Sequence, residues 1–220
     1  MLKIENVHIT GFEPAIRGMR NPMNSWDKSD SDYSFKAPDG TPCIGENDYN
    51  LMMKLANGGP VHAKYRRMLT VYLDITAPLY WWKEFDTYKV GTVANSCSTM
   101  HKIAEKPFTR EDFSCEHFYV DTLSPQCPMT MLEEIIRTLN FWRNRYLETK
   151  RKEDWWQLIQ LLPSSYNERR TVMLNYEVLA NIYRWRRDHK LDEWHTFCDW
   201  IESLPYSDII TGEVHNEKGK

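Results

Sequence analysis

No apolar run in this 220-residue chain approaches the roughly eighteen residues that a membrane-spanning helix needs. The opening stretch MLKIENVHIT has no basic segment leading into an apolar core, which predicts a chain without a signal peptide and hence a cytoplasmic protein. Cysteine is sparse and unpatterned. The five thiols, Cys43, Cys97, Cys115, Cys127 and Cys198, are odd in number and never form C-x-x-C, which predicts reduced cysteines and argues against a zinc site. Charge of one sign is also lacking. A formal net charge of −3 gives no global attraction to nucleic acid or to an anionic membrane, though a local patch can still hold a phosphate. Finally, neither G-x-G-x-x-G nor a P-loop occurs, which disfavours a Rossmann or P-loop enzyme.

What remains is a globular composition, 41% hydrophobic and 27% charged, with nine Trp and twelve Tyr. Large rings in that number predict a core or interface built from aromatics and surfaces able to stack planar ligands. The length fits one ordinary domain, placed at residues 1–210, with 211–220 as a disordered tail.

Alternation of Leu2, Ile4 and Val7 predicts a strand over 2–10, and LTVYLDI predicts another over 69–75. Between them lie a short helix at Pro14–Arg20, a Pro- and Gly-punctuated loop to about Asp48, a helix capped by Asn47 or Asp48, and a further short helix after Pro60. The loop's Asp27, Asp30 and Asp32 lack the spacing and central glycine of an EF-hand, so they read as a solvated loop. Residues 79–90 have helical spacing, with Trp81, Phe85 and Tyr88 on one face and Lys83, Glu84 and Thr87 on another. From Thr130, paired with Glu133 in a capping box, the chain reads as helical. A third helix in that half is expected over Glu168–Asp188, with Val172, Tyr176, Leu179 and Tyr183 inward. Strands in the first half and helices in the second define an α+β fold, an antiparallel or mixed sheet packed with long helices.

The candidate ligand-binding residues each have a structural alternative. Lys83, Thr87 and Lys89 suit an anion, and they suit equally the solvated face of an amphipathic helix. Ser96, Ser98 and Thr99 form a small polar run whose backbone N–H groups can cradle a phosphate, or simply a loop. Cys97 stands near His101 with no third orienting group indicated. Arg186, beside Arg184, Arg187 and Lys190, has the fork of donors that suits a uracil edge or a phosphate, while a basic helix end also satisfies the helix dipole. On a continuous helix Asn175 and Asn181 would point to nearly opposite sides.

Three motifs in order resemble the flavin-dependent thymidylate synthase family: DITAPLYWWKEFDTYK, GTVANSCSTMHKI and LNYEVLANIYRWRR. In the first, Lys83 and Glu84 stand at the family's Arg and Gln, and Thr87-Tyr88-Lys89 at its Arg-His-Arg. In the second, Thr92, Asn95 and Ser98 follow the family's Ser-x-Asn-Glu-x-Ser pattern with one residue inserted, and Ser96 and Met100 replace its Glu and late Arg. In the third, Asn175, Asn181 and Arg186 keep the family spacing, and Glu177 replaces an Arg. The resemblance implies an FAD-dependent reductive methylation of dUMP or a related pyrimidine nucleotide, with methylenetetrahydrofolate and NADPH as co-substrates. It implies a homotetramer with shared sites. It assigns Arg186 to the uracil ring as the catalytic residue, and Lys83, Glu84, Thr87, Ser96 and Ser98 to substrate. It assigns Tyr88, Lys89, Asn175 and Asn181 to the cofactor. The loss of Arg-His-Arg supports the alternative of a protein that kept the fold and binds nucleotide or flavin with altered catalysis, or serves as a structural oligomer.

Overall fold

The computed structural model describes residues 2–37, 40–97, 99–121, 124 and 126–212. Strand β1 (Lys3–Thr10) leads through Gly11, whose φ of 99° turns the chain, into helix α1 (Phe12–Arg20). The stretch read as one long loop contains an antiparallel pair, β2 (Asp32–Lys36) and β3 (Pro42–Cys43), with Asp32 opposite Cys43. Helix α2 (Glu46–Asn57) follows, then a 3-10 turn at Ala63–Met68. Strand β4 (Thr70–Pro78) is succeeded directly by α3 (Leu79–Phe85). Next come β5 (Val93–Ser96), α4 (Thr99–Lys102), α5 (Pro128–Thr149) and α6 (Lys152–Leu161). Strand β6 (Asn167–Asn175), α7 (Tyr176–Arg186), α8 (Asp192–Glu202) and α9 (Asp208–Thr211) complete the chain. The main sheet has the order β1-β4-β6-β5, so the fold is α+β as expected.

The chain forms two compact units. The first comprises residues 1–4, 75–87 and 95–171. Its core gathers Ile103, Phe108, Phe113, Leu132, Leu139 and Leu158, where α5 lies against α6. Helix α3 buries Trp81, Trp82 and Phe85, with the Trp81 and Phe85 rings stacked at 5.1 Å. The second unit comprises residues 5–74, 88–94 and 172–220. There α7 packs on the 3-10 turn, α8 and α9, and buries Tyr176, Leu179 and Ile182 with Trp194 and Phe197.

The sequence expectations are corrected at several points. The helix expected over 79–90 stops at Phe85, so Tyr88 is not on its aromatic face. Helix α5 starts at Pro128, a residue suited to a first turn, with Cys127 as its cap, so Thr130 and Glu133 lie inside it. A capping box does form, between Thr109 and Asp112 at a 3-10 turn. Asp48 is fully buried rather than a cap, and Asp30 receives the Asn47 and Asp48 backbone N–H groups at 2.9 and 3.1 Å. The helix expected over 168–188 is a strand followed by a helix. Val172 and Leu174 are fully buried, a period of two that belongs to β6, and Tyr176, the first residue of α7, is fully buried as well. Residues 213–220 lie outside the described residues.

Candidate functional site

Asn175 is the hinge between β6 and α7. Its backbone is extended (φ −130°, ψ 168°), and its Oδ1 accepts a hydrogen bond from the Val178 N–H at 3.0 Å. The side chain is thus fixed as an N-cap, and α7 begins with Tyr176, whose N–H donates to the Leu69 carbonyl at 3.1 Å. With the helix phased from Tyr176, Glu177, Asn181 and Arg184 stand at i, i+4 and i+7 and share one face. The helical-wheel objection to Asn175 and Asn181 sharing a ligand therefore falls, because Asn175 precedes the helix.

That face lines a cavity of about 380 Å³ in the second unit. Asn175, Glu177, Asn181 and Arg184 form one wall, and Arg66, Arg67, Gly59, Pro60, Val90 and Gly91 complete it. An adjoining cavity of about 350 Å³ shares Arg66 and Arg184 and extends to Thr211 and Gly212. Gly91 has a φ of 82°, and a Cβ there would meet Asn175 Nδ2 at 3.0 Å and Val178 Cγ2 at 3.1 Å. Only glycine brings the chain this close to the cap.

The charges of the cavity are unequal in their freedom. Arg66 is buried; its Nε donates to Glu177 Oε2 at 2.8 Å, and its Nη2 makes an ion-pair contact with the same oxygen at 2.7 Å. Its Nη1 donates to the Ile209 carbonyl at 2.9 Å. Arg67 and Arg184 are exposed and make no ion pair among the described residues. One carboxylate is therefore neutralised by a fixed guanidinium, while the other guanidiniums remain available to an anion.

A second cavity, of about 450 Å³, lies in the first unit beside Cys97, Tyr166 and Glu168. Its charges are largely engaged with one another or with neighbours. Lys106 holds Asp112, Lys102 holds Glu105 at 2.9 Å, and Arg170 holds Glu168 at 2.9 Å. The cavity along α7 is the stronger anion site for that reason.

The residues singled out from the sequence divide between the units. Lys83, Glu84, Thr87 and Ser96 belong to the first, and Tyr88, Lys89, Asn175, Asn181 and Arg186 to the second. Lys83 and Ser96 are exposed, and Thr87 closes the end of α3 by donating to the Glu84 carbonyl at 2.7 Å. Ser98 lies outside the described residues. Lys89 is exposed, and its carbonyl accepts the Thr92 N–H at 3.5 Å. Asn175 and Asn181 are brought together in the cavity. Arg186 is not among the lining residues. Its Nε donates to the Tyr88 hydroxyl at 2.8 Å, and its guanidinium lies over the Trp194 ring at 4.8 Å. Sequence reasoning missed Arg66, Arg67, Glu177 and Arg184 as partners in one cavity. The signal that finds the α7 members is Asn175 read as a cap, which sets the phase of α7.

In fold the chain is similar to solved flavin-dependent thymidylate synthases. Thymidylate synthase X (ThyX) from Helicobacter pylori, solved with FAD and dUMP, superposes with a TM-score of 0.66 at 17% sequence identity, covering 95% of this chain and 96% of that one. A second structure of the same flavin-dependent enzyme, complexed with FAD and dUMP, gives a TM-score of 0.65 at 16% identity, with 94% and 96% covered. No protein-family model matches the sequence, and no curated protein matches it.

Proposed function

We propose that this chain binds a flavin nucleotide in the α7 cavity. We propose further that it acts as a flavin-dependent thymidylate synthase-like enzyme, reductively methylating dUMP or a related pyrimidine nucleotide. FAD would be the cofactor, with NADPH and methylenetetrahydrofolate as co-substrates. The observation that carries the reading is the grouping of Asn175 and Asn181 with Arg67 and Arg184, which make no ion pair among the described residues, on a fold that in the H. pylori enzyme is bound to FAD and dUMP. The residues suit such a group. Arg67 and Arg184 match a diphosphate, Gly59 and Gly91 permit close approach of the backbone, and Pro60, Val90 and Val178 offer apolar surface to a ring.

A bound flavin supplies hydride chemistry, and the protein's task is to bind, orient and exclude water. Arg67 and Arg184 would neutralise the ligand's phosphates. The amide of Asn181, on the same helix face, would hold a polar edge. Arg186, held by Tyr88 and Trp194, is the proposed contact to the pyrimidine, with Lys83, Glu84, Thr87 and Ser96 as further substrate contacts and Tyr88 and Lys89 beside the cofactor. Assembly as a homotetramer and a cytoplasmic location belong to the same proposal. No helix among the described residues is long and apolar enough to cross a membrane.

The placement of Arg186 off the cavity-lining face favours a second reading, in which nucleotide or flavin is bound without the thymidylate synthase reaction. NADPH oxidation by the FAD-loaded protein, followed with and without dUMP and methylenetetrahydrofolate, separates the two. Formation of dTMP supports the enzyme. Flavin binding with no dUMP-dependent turnover supports the second reading.

A further inference from the structure

Glu177 has an unusual position for a carboxylate in an anion-binding cavity. The Nε hydrogen bond and the Nη2 ion-pair contact from Arg66 fall on the same oxygen, Oε2, and the remaining nitrogen of that guanidinium is tied to the Ile209 carbonyl. Arg66 is thus anchored at Ile209, and the carboxylate is held to it by Oε2 alone. Its Oε1 has no hydrogen-bond partner among the described residues, and Glu177 lines the cavity with its side chain 21% exposed. An ionised carboxylate only accepts hydrogen bonds, so Oε1 selects a hydroxyl or N–H group and repels phosphate. Glu177 and Arg184 lie seven residues apart on one helix face, about 10 Å along the axis at 1.5 Å per residue. A ligand that satisfies both ends carries a donor and an anion separated by a short chain of atoms.

We propose that Glu177 is a hydroxyl-reading residue: its Oε1 accepts a hydrogen bond from a sugar hydroxyl of a phosphorylated ligand whose phosphate rests on Arg67 and Arg184. This rests on the flavin reading above and narrows it to the sugar phosphate part of the ligand. Ribityl phosphate and ribosyl diphosphate share the required chemistry. Arg66 is then a positioning residue, since it fixes the orientation of the carboxylate and reaches the ligand only through it.

Isothermal titration calorimetry on the full chain tests this with matched ligands. ADP is compared with its 2′-deoxy and 3′-deoxy forms, and FMN with its 2′-deoxyribityl form. In the wild type, at least one deoxy ligand binds about tenfold or more weakly than its parent, as for a lost hydrogen bond to a charged group. A penalty on the ADP series identifies the ribose as the hydroxyl source, and a penalty on FMN identifies the ribityl chain. In Glu177→Gln the penalty falls below about threefold. In Arg184→Ala all ligands weaken by a similar factor and the penalty stays, a pattern that a merely structural ion pair would not give. Equal binding of every parent and deoxy pair by the wild type overturns the proposal, whatever the variants do. ADP binding with a hydroxyl penalty, but no binding of FMN or FAD, upholds Glu177 and removes the flavin reading. Flavin binding with no penalty in any pair does the reverse. Absence of binding by all these ligands removes both.

Discussion

The Nε of Arg186 donates to the phenolic oxygen of Tyr88 at 2.8 Å, and the guanidinium lies over the rings of Tyr88 and Trp194 at 5.6 and 4.8 Å. The arginine that the sequence marks as the strongest ligand contact is thus held by aromatic neighbours. Tyr88→Phe keeps the ring and removes the acceptor. It is expected to lower stability by about 1 kcal/mol in urea denaturation, the usual net worth of one hydrogen bond. Arg186→Ala is expected to weaken dUMP binding as well. Unchanged dUMP affinity in that variant would leave Arg186 as packing alone.

Arg20 and Asp48 form a buried ion pair. Arg20 Nε donates to Asp48 Oδ1 at 2.6 Å, and both side chains are almost fully enclosed. Asp48 Oδ2 accepts from the Ser29 and Ser31 hydroxyls, each at 2.7 Å, and from the Asp30 and Ser31 N–H groups. Burial pushes the Asp48 carboxyl up, but hydrogen bonds from Ser31, Ser29 and Arg20, with the Arg20 charge, outweigh it and hold the carboxyl below its ordinary 3.8. A depressed folded-state value means that this contribution is present above pH 3.8 and is lost as pH falls through the lower folded value. Stability measured by urea titration is therefore expected to drop below about pH 4. Asp48→Asn should remove this part of the acid dependence and cost about 3–5 kcal/mol at neutral pH, the effect of stranding a buried charge. An unchanged acid limb in that variant would assign the loss to other carboxylates.

Gly91 joins backbone conformation to the cavity. Alanine there must adopt a φ near 82° and press on Asn175 Nδ2. Gly91→Ala is expected to destabilise the protein by about 1–2 kcal/mol through the left-handed conformation alone. It is also expected to weaken flavin binding, because the Asn175 amide would be displaced. Asn175→Ala should cost about 1 kcal/mol through loss of the helix cap. A flavin affinity unchanged in both variants would place the ligand away from this end of α7.

The sequence made β1, β4 and most helices legible because their periods were unambiguous. Val71, Leu73, Ile75 and Ala77 alternate into the interior of β4, and Trp81 with Phe85 marks α3 at helical spacing. The stretch 167–176 was not legible for a physical reason. Val172 and Tyr176 satisfy a helical spacing of four as well as a strand spacing of two, and only the burial of Leu174 decides between them. That ambiguity hid the cap at Asn175 and with it the phase of α7. The cavity remained hidden because Arg66 and Arg67 come from a 3-10 turn more than a hundred residues before α7, as the separation of 111 between Arg66 and Glu177 records. Single-sequence periodicity carries no information on such a pairing. The resemblance singled out Asn175, Asn181 and Arg186. It did not reveal that the first two line a cavity with Arg184 while Arg186 turns to Tyr88 and Trp194.

The most direct test of the central claim is a titration of the purified chain with FAD, followed by visible absorbance and flavin fluorescence, alongside the double variant Arg67→Ala/Arg184→Ala. The account predicts saturable binding by the wild type, with a perturbed flavin spectrum and a strong dependence on salt. It predicts affinity reduced about tenfold or more in the double variant, whose melting temperature stays near that of the wild type because neither arginine is ion-paired among the described residues. A wild-type protein that leaves the FAD spectrum and fluorescence unchanged at saturating concentrations, or a double variant that binds FAD as tightly as the wild type, would contradict it.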